Sequence, residues 1–144
     1  MPIRENIATF APMMFKSFEE IAEKFRNIRF KEEFDLIVAI ANGGVIPAAI
    51  LNQRLGLDLQ LLKINFRDTG QRPLYETPQL ISPVDFEIKE KRILLVEDRV
   101  KTGATLEYAK KLLSEAKLVK TFAVNGKADY ALYNESCFRF PWII

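Results

Sequence analysis

Arg92–Leu106 reads RILLVEDRVKTGATL. Its apolar run, Ile93 to Val96, is long enough for one buried strand, and two adjacent carboxylates, Glu97 and Asp98, stand where that strand is expected to end. A small turn follows, Thr102-Gly103-Ala104-Thr105, and then Leu106, Ala109, Leu112 and Leu113 recur at helical spacing. A strand ending in acids, a hydroxyl-bearing turn and a helix form, in that order, a phosphate site. The first amides of a helix have no partner within it and carry partial positive charge. Gly103 lets the backbone approach an anion with no Cβ in the way, and the two threonine hydroxyls add donors. The carboxylates can hold sugar hydroxyls or a magnesium ion, which takes oxygen ligands. An ordinary surface βα loop also carries Glu-Asp and Thr-Gly pairs; the order of all four parts distinguishes this one. No G-x-x-x-x-G-K-[ST] spacing occurs, so it is not a Walker A loop.

At 144 residues the chain is expected to be one domain with a sizeable core. Its 49% hydrophobic and 28% charged content is that of a globular protein. Basic and acidic residues, 21 and 19, nearly cancel to +2, which gives no nucleic-acid signature. Apolar runs fall far short of the ~20 residues of a membrane span, and the N-terminus has no signal-peptide pattern, so no membrane partner and a cytoplasmic location are expected. Cys137 is the one cysteine, and there is no histidine. Ser-His and Cys-His catalysis, His-ligated zinc and histidine acid–base chemistry are therefore excluded.

Elsewhere the chain alternates. Ser17-Phe18-Glu19-Glu20 reads as a capping box, followed by a helix with Phe18, Ile21, Ala22 and Phe25 on one face. Asp35–Ala41 is a continuous apolar run of the kind buried on both faces of a parallel sheet. Asn42-Gly43-Gly44 breaks it, and a helix is expected over Val45–Leu55, with Pro47 in its first turn. Leu59–Ile64 and Leu118–Val124 read as strands, the motif's helix runs to about Ala116, and a short segment lies around Gln79–Ile81. Asn65–Pro78 shows neither period, and a loop of that length is functional or mobile. The aromatic tail from Tyr130 reads as a small closing lobe. Strands alternating with helices predict βαβ units, a parallel sheet and a ligand cleft at the strands' carboxyl ends.

The Ile93–Thr105 arrangement resembles the ribose-phosphate motif of the type I phosphoribosyltransferases, in which apolar residues, two acids and T-G-x-T follow one another. The resemblance implies an α/β fold with a central, mainly parallel sheet flanked by helices and a small hood. Ile37–Leu51, IVAIANGGVIPAAIL, looks like that family's pyrophosphate loop, and about 65–78 matches its mobile hood, where Arg67, Arg72 and Tyr75 could reach a diphosphate. Ala128-Asp129-Tyr130 and Phe138-Arg139-Phe140-Pro141-Trp142 resemble the ending of the short xanthine–guanine and hypoxanthine enzymes.

The family implies transfer of ribose-5-phosphate from phosphoribosyl diphosphate to a nucleobase, an oxopurine first, with Mg2+ as cofactor, no nucleic-acid partner and a homo-dimer as the assembly. Exposed aromatics in the Met13–Phe18 region would suit such an interface. Carried over by position, Glu97 and Asp98 are the catalytic acids and the metal ligands. Thr102, Gly103, Ala104 and Thr105 bind the 5′-phosphate, while Asn42, Gly43, Gly44 and Arg67 serve the pyrophosphate. Asn125, Lys127 and Phe138 fall in the base pocket. Four positions depart from the family pattern. Lys101, placed with the catalytic set, stands where an acid precedes T-G-x-T, and Asn42 replaces a basic residue. Asn125 replaces a base-reading lysine, and Cys137 aligns with the stacking aromatic, with Phe138 beside it. The reversed charge at Lys101 points to an acidic acceptor, and a non-catalytic nucleotide-binding regulator on the same fold is the alternative reading.

Overall fold

The computed structural model describes residues 14–65 and 78–144. In chain order its elements are β1 (Met14–Phe15), α1 (Phe18–Asn27), β2 (Leu36–Ala41), α2 (Val45–Leu55), β3 (Asp58–Asn65) and β4 (Gln79–Leu80). Then come β5 (Arg92–Arg99), α3 (Ala104–Leu112), β6 (Leu118–Asn125), β7 (Tyr130–Tyr133) and β8 (Phe138–Arg139).

Both apolar runs become central strands. Along β2, Ile37 and Ala39 face one core while Leu36, Val38 and Ile40 face the other; along β5, Leu94 and Val96 alternate with Ile93 and Leu95 in the same way. A strand buried on both faces needs apolar residues at every position, which explains the uninterrupted runs. One face is covered by Ile21 and Phe25 of α1 and Ala48 and Leu51 of α2, the other by Leu106 and Ala109 of α3. The sheet order is β4-β3-β2-β5-β6-β7, parallel throughout except for β4.

Local signals account for most boundaries. Ser17 caps α1, its Oγ accepting from the Glu20 N–H at 3.1 Å. Phe18, expected on the apolar face, is instead 54% exposed, and only Ile21 and Phe25 of that helix are buried. Three further expectations are corrected. β5 does not stop at Val96 but runs to Arg99, because pairing of Glu97 with Ala123 and Arg99 with Asn125 carries the ladder onward. α3 ends at Leu112, where the Leu113 amide is already shared between the Ala109 and Lys110 carbonyls. The aromatic tail is not a separate lobe: β7 extends the main sheet, β8 pairs with β1, and Phe138 and Phe140 enter the core. The parallel β6–β7 pair is joined by residues 126–129 alone, with no helix between. Asp129 secures that return by accepting from the Thr121 amide (2.8 Å) and hydroxyl (3.0 Å). The hood residues, Arg67, Arg72 and Tyr75 among them, lie outside the described residues, as does Met13.

At the start of β5, Arg92 clasps Asp35 through Nε and Nη2, both at 3.0 Å, and its amide donates to the same carboxylate at 2.8 Å. The guanidinium's hydrogen bond, followed by the amide's, holds the Asp35 carboxyl down at about 2. A carboxyl held below its unfolded value adds stability above the ordinary range of about 4, and that stability is lost as pH falls through the folded value. Asp35→Asn is therefore expected to lower the melting temperature at neutral pH and to flatten the acid limb between about 4 and about 2. Melting curves across that range check it, and an acid limb as steep as the parent's would refute it.

Candidate functional site

β2 pairs with β3 on one side and with β5 on the other, so the chain reverses its direction of growth between β2 and β5. Loops leaving the carboxyl ends of two such strands diverge and leave a crevice. Here those loops are Asn42–Gly44, after β2, and residues 100–103, between β5 and α3. The first lies against the end of β5. A Cβ on Gly43 would lie 2.6 Å from Asp98 Oδ1, and one on Gly44 would lie 2.4 Å from the Val96 carbonyl oxygen. The two glycines are thus the condition for the first loop to lie against the acid-bearing strand. The Gly44 amide closes on the Ile40 carbonyl at 2.8 Å, a cis peptide joins Ala41 to Asn42, and Asn42 and Gly43 are exposed.

The two acids, equivalent in the sequence, differ in place. Glu97 is 9% exposed and accepts from the Asp98 amide at 3.0 Å. Burial first, and then the adjacent Asp98 charge, push the Glu97 carboxyl well above the ordinary range. Asp98 is partly exposed beside Gly43, and its Oδ1 accepts from the Arg99 amide at 2.6 Å. Asp98 is thus the acid open to the crevice, and Glu97 lies buried behind it with its carboxylate on the Asp98 amide. Among the described residues no three acidic or cysteine side chains converge on one point. A cation held here would draw on the partly exposed Asp98 carboxylate and on ligand oxygens, as magnesium in phosphate sites does.

Beyond the acids, Lys101 and Thr102 are exposed and Gly103, Ala104 and Thr105 partly so. Gly103 adopts φ +88, a left-handed conformation that suits glycine and starts α3. Thr102 Oγ1 accepts from the Ala104 amide at 3.2 Å, leaving the next first-turn amides of α3 without helical partners. Free first-turn amides of this kind can take an anion.

Two residues expected to face a base are placed otherwise. Asn125 is 3% exposed, and its side chain is used up locally: Oδ1 accepts from the Glu135 amide at 3.0 Å and Nδ2 donates to the Glu135 carbonyl at 3.2 Å. Phe138 is fully buried, edge-on to Tyr133 and Phe140, so its ring packs the C-terminal segment instead of offering a stacking face. Cys137 and Lys127 are exposed. Arg99 was passed over in the sequence, yet it joins the acid strand to that segment. Its Nη2 donates to the Phe138 carbonyl at 2.7 Å, and its guanidinium lies 4.6 Å from the Phe140 ring centroid. The signal was available in a basic residue directly after Glu-Asp, at the end of a strand whose middle is apolar.

A phosphoribosyl transferase domain model matches residues 9–139. The chain belongs to the phosphoribosyltransferase family. Its α/β architecture is the type I fold of these phosphoribosyltransferases. The xanthine-guanine phosphoribosyltransferase of Idiomarina loihiensis is 26% identical over 140 residues, covering 89% of this chain and 85% of that protein. An orotate phosphoribosyltransferase of Pyrobaculum islandicum is 26% identical over 86 residues, 60% of this chain and 40% of that one. Among solved structures, the purine phosphoribosyltransferase of Pyrococcus horikoshii superposes with a TM-score of 0.74 at 25% identity, over 90% of this chain and 92% of that one.

Proposed function

We propose that the protein transfers the 5-phosphoribosyl group from phosphoribosyl diphosphate to an oxopurine and releases pyrophosphate. The observation that carries this reading is the contact of the loop after β2 with the acid-bearing end of β5, Gly43 against Asp98 and Gly44 against Val96. A diphosphate held by that loop would then lie beside the ribose hydroxyls held at the strand end.

In the reaction the bond from ribose C1 to the diphosphate oxygen breaks and a bond from C1 to a base nitrogen forms, with loss of that nitrogen's proton. Asp98 holds the ribose hydroxyls, directly or through metal-bound water, and Glu97 keeps Asp98 in place. The amides and hydroxyls of Thr102–Thr105 take the 5′-phosphate at the start of α3. Asn42, Gly43 and Gly44 take the diphosphate. Magnesium, were it held by Asp98 and the diphosphate, would supply charge neutralisation for the departing pyrophosphate. The rest of the rate enhancement is positioning and fixed dipoles.

Lys101 and Arg99 put positive charge beside the acid strand, which favours an acidic acceptor. Xanthine, more acidic than hypoxanthine or guanine, is expected to be preferred, in keeping with the name of the Idiomarina relative; orotate, the substrate named for the Pyrobaculum relative, is also an anion. Asn125 and Phe138 shape this side from behind, and Arg67 and Lys127 remain candidates for contact. A dimer through exposed Phe15 and Phe18 belongs to the same reading.

Pyrophosphate release with magnesium and phosphoribosyl diphosphate, measured against xanthine, guanine, hypoxanthine, adenine and orotate, tests it. Release that depends on xanthine above hypoxanthine is the expected result. Tight nucleotide binding with no release for any base would overturn it in favour of a binding protein, the reading that Lys101 in place of an acid supports.

A further inference from the structure

At the opposite end of the sheet from these loops, a cleft of about 440 Å³ opens among the residues that precede β2, the first residue of β5 and the end of α2 with Leu57 beyond it. Arg92 at the cleft and Glu97 and Asp98 are five and six residues apart along β5, so the cleft and the acids are roughly 17–20 Å apart. The cleft is not part of the candidate active site.

Its charges are unevenly matched. Of the carboxylates on its rim, Glu33 lies 3.7 Å from Arg92, and Glu32 takes the Tyr130 hydroxyl and lies 3.8 Å from Lys120. Arg92 itself is satisfied by Asp35. Arg29 and Arg54 are left over. Arg54 donates to the carbonyls of Phe25 (2.7 Å) and Ile28 (2.5 Å), and Arg29 to those of Arg26 (2.7 Å) and Ile28 (3.1 Å). Among the described residues neither has a carboxylate within ion-pair distance. Carbonyls at the end of a helix help to hold such cations, but each guanidinium has five N–H donors, and these bonds occupy two on each. Burial and the neighbouring Arg29 charge both lower the Arg54 proton affinity, the response of a cation that lacks a counter-ion.

The other wall is apolar: Phe30, Phe34, Leu55 and Leu57. Phe30 stands edge-on to Phe34 and Tyr130, with ring centroids at 5.8 and 4.8 Å, which fixes its plane. Two guanidiniums without a carboxylate partner, that of Arg54 lying 6.0 Å from the Phe30 ring centroid, beside an aromatic and aliphatic wall match one ligand chemistry: planar N–H forks suit a phosphate, and the wall suits a flat ring. The volume lies within the range of small-molecule sites, about 300–1,000 Å³.

We infer that this cleft is a second binding site, for a small aromatic phosphate held by Arg29 and Arg54 with its ring against Phe30 and Leu57. Calorimetric titration of the full chain with 1-naphthyl phosphate, inorganic phosphate and 1-naphthol tests it. Naphthyl phosphate is expected to bind saturably, with the other two weaker by about tenfold or more, because each lacks half of the contacts. Arg29→Gln, at an exposed position whose bonds stay within its own turn, is expected to weaken naphthyl phosphate by about tenfold, the scale of a charge-assisted hydrogen bond, with the melting temperature unchanged. Thr105→Val, in the other site, is expected to leave that affinity as it was. Absence of saturable binding, inorganic phosphate binding as tightly as naphthyl phosphate, or binding lost in Thr105→Val and kept in Arg29→Gln would each overturn the inference.

Discussion

Gly44→Ala is expected to lower the stability to urea by about 3 kcal/mol or more, at the upper end of the cost of overpacking a core. Gly44 has φ −80 and ψ −5, a conformation that alanine adopts freely, and in an open site the change would stabilise by about 0.4–1 kcal/mol through the unfolded chain. The sign reverses here because the added carbon meets backbone. It would stand 2.4 Å from the Val96 oxygen and 2.9 Å from the Ile40 oxygen, atoms fixed in the two central strands. Relief requires β2 and β5 to separate where their loops meet. Gly43→Ala separates structure from chemistry, because its added carbon meets the Asp98 carboxylate, the end of a side chain that can rotate away. That variant is expected to keep its urea midpoint and to lose pyrophosphate release, since the acid leaves its place. Urea titration and turnover, measured on both variants, check the pair. A Gly44→Ala protein as stable as the parent would show that the loop after β2 does not press on β5.

Much of this was legible in the chain because the determinants are local. Apolar runs at 36–41 and 93–96 have no polar interruption, and only a strand covered on both faces uses such a run, so a parallel sheet with helices on either side followed directly. Val45–Leu55 was bounded by a glycine pair and by Gly56, and both ends stand where those residues put them. What sequence could not give depends on contacts distant in the chain. β5 extends through Glu97 and Asp98 because β6 pairs with it, a partner more than twenty residues on. Phe138 was expected to face a base, but whether an aromatic stacks on a ligand or in a core depends on what covers it, and here Tyr133 and Phe140 do. Asn125 was placed in the base pocket because it takes the position of the family's base-reading lysine; its amide instead closes the loop at Glu135. Arg29 and Arg54, 25 residues apart, come together only because α2 ends against the carboxyl end of α1.

The same distinction between position in sequence and position in space separates the two acids by experiment. Asp98→Asn is expected to lower kcat by about 10²–10³, the cost of removing one preorganised electrostatic group at a reacting centre. It keeps the shape of the side chain, and its remaining oxygen can still accept from the Arg99 amide, so the urea midpoint should not move. Glu97→Gln is expected to cost only about tenfold, the scale of a residue that orients another. Glutamine fits the same buried space, and its oxygen can accept the Asp98 amide as Glu97 Oε1 does. Glu97→Leu removes that acceptor, leaves the Asp98 amide unpaired beside a buried side chain, and should lose both activity and about 1–3 kcal/mol of stability. The positioning role has its own signature. In Asp98→Asn, magnesium-dependent binding of phosphoribosyl diphosphate should weaken along with kcat, whereas in Glu97→Gln the binding should hold. If Glu97→Gln proves the more damaging of the two, the buried carboxyl itself contacts substrate or metal, and the crevice must open further than the separation of Gly43 from Asp98 now allows.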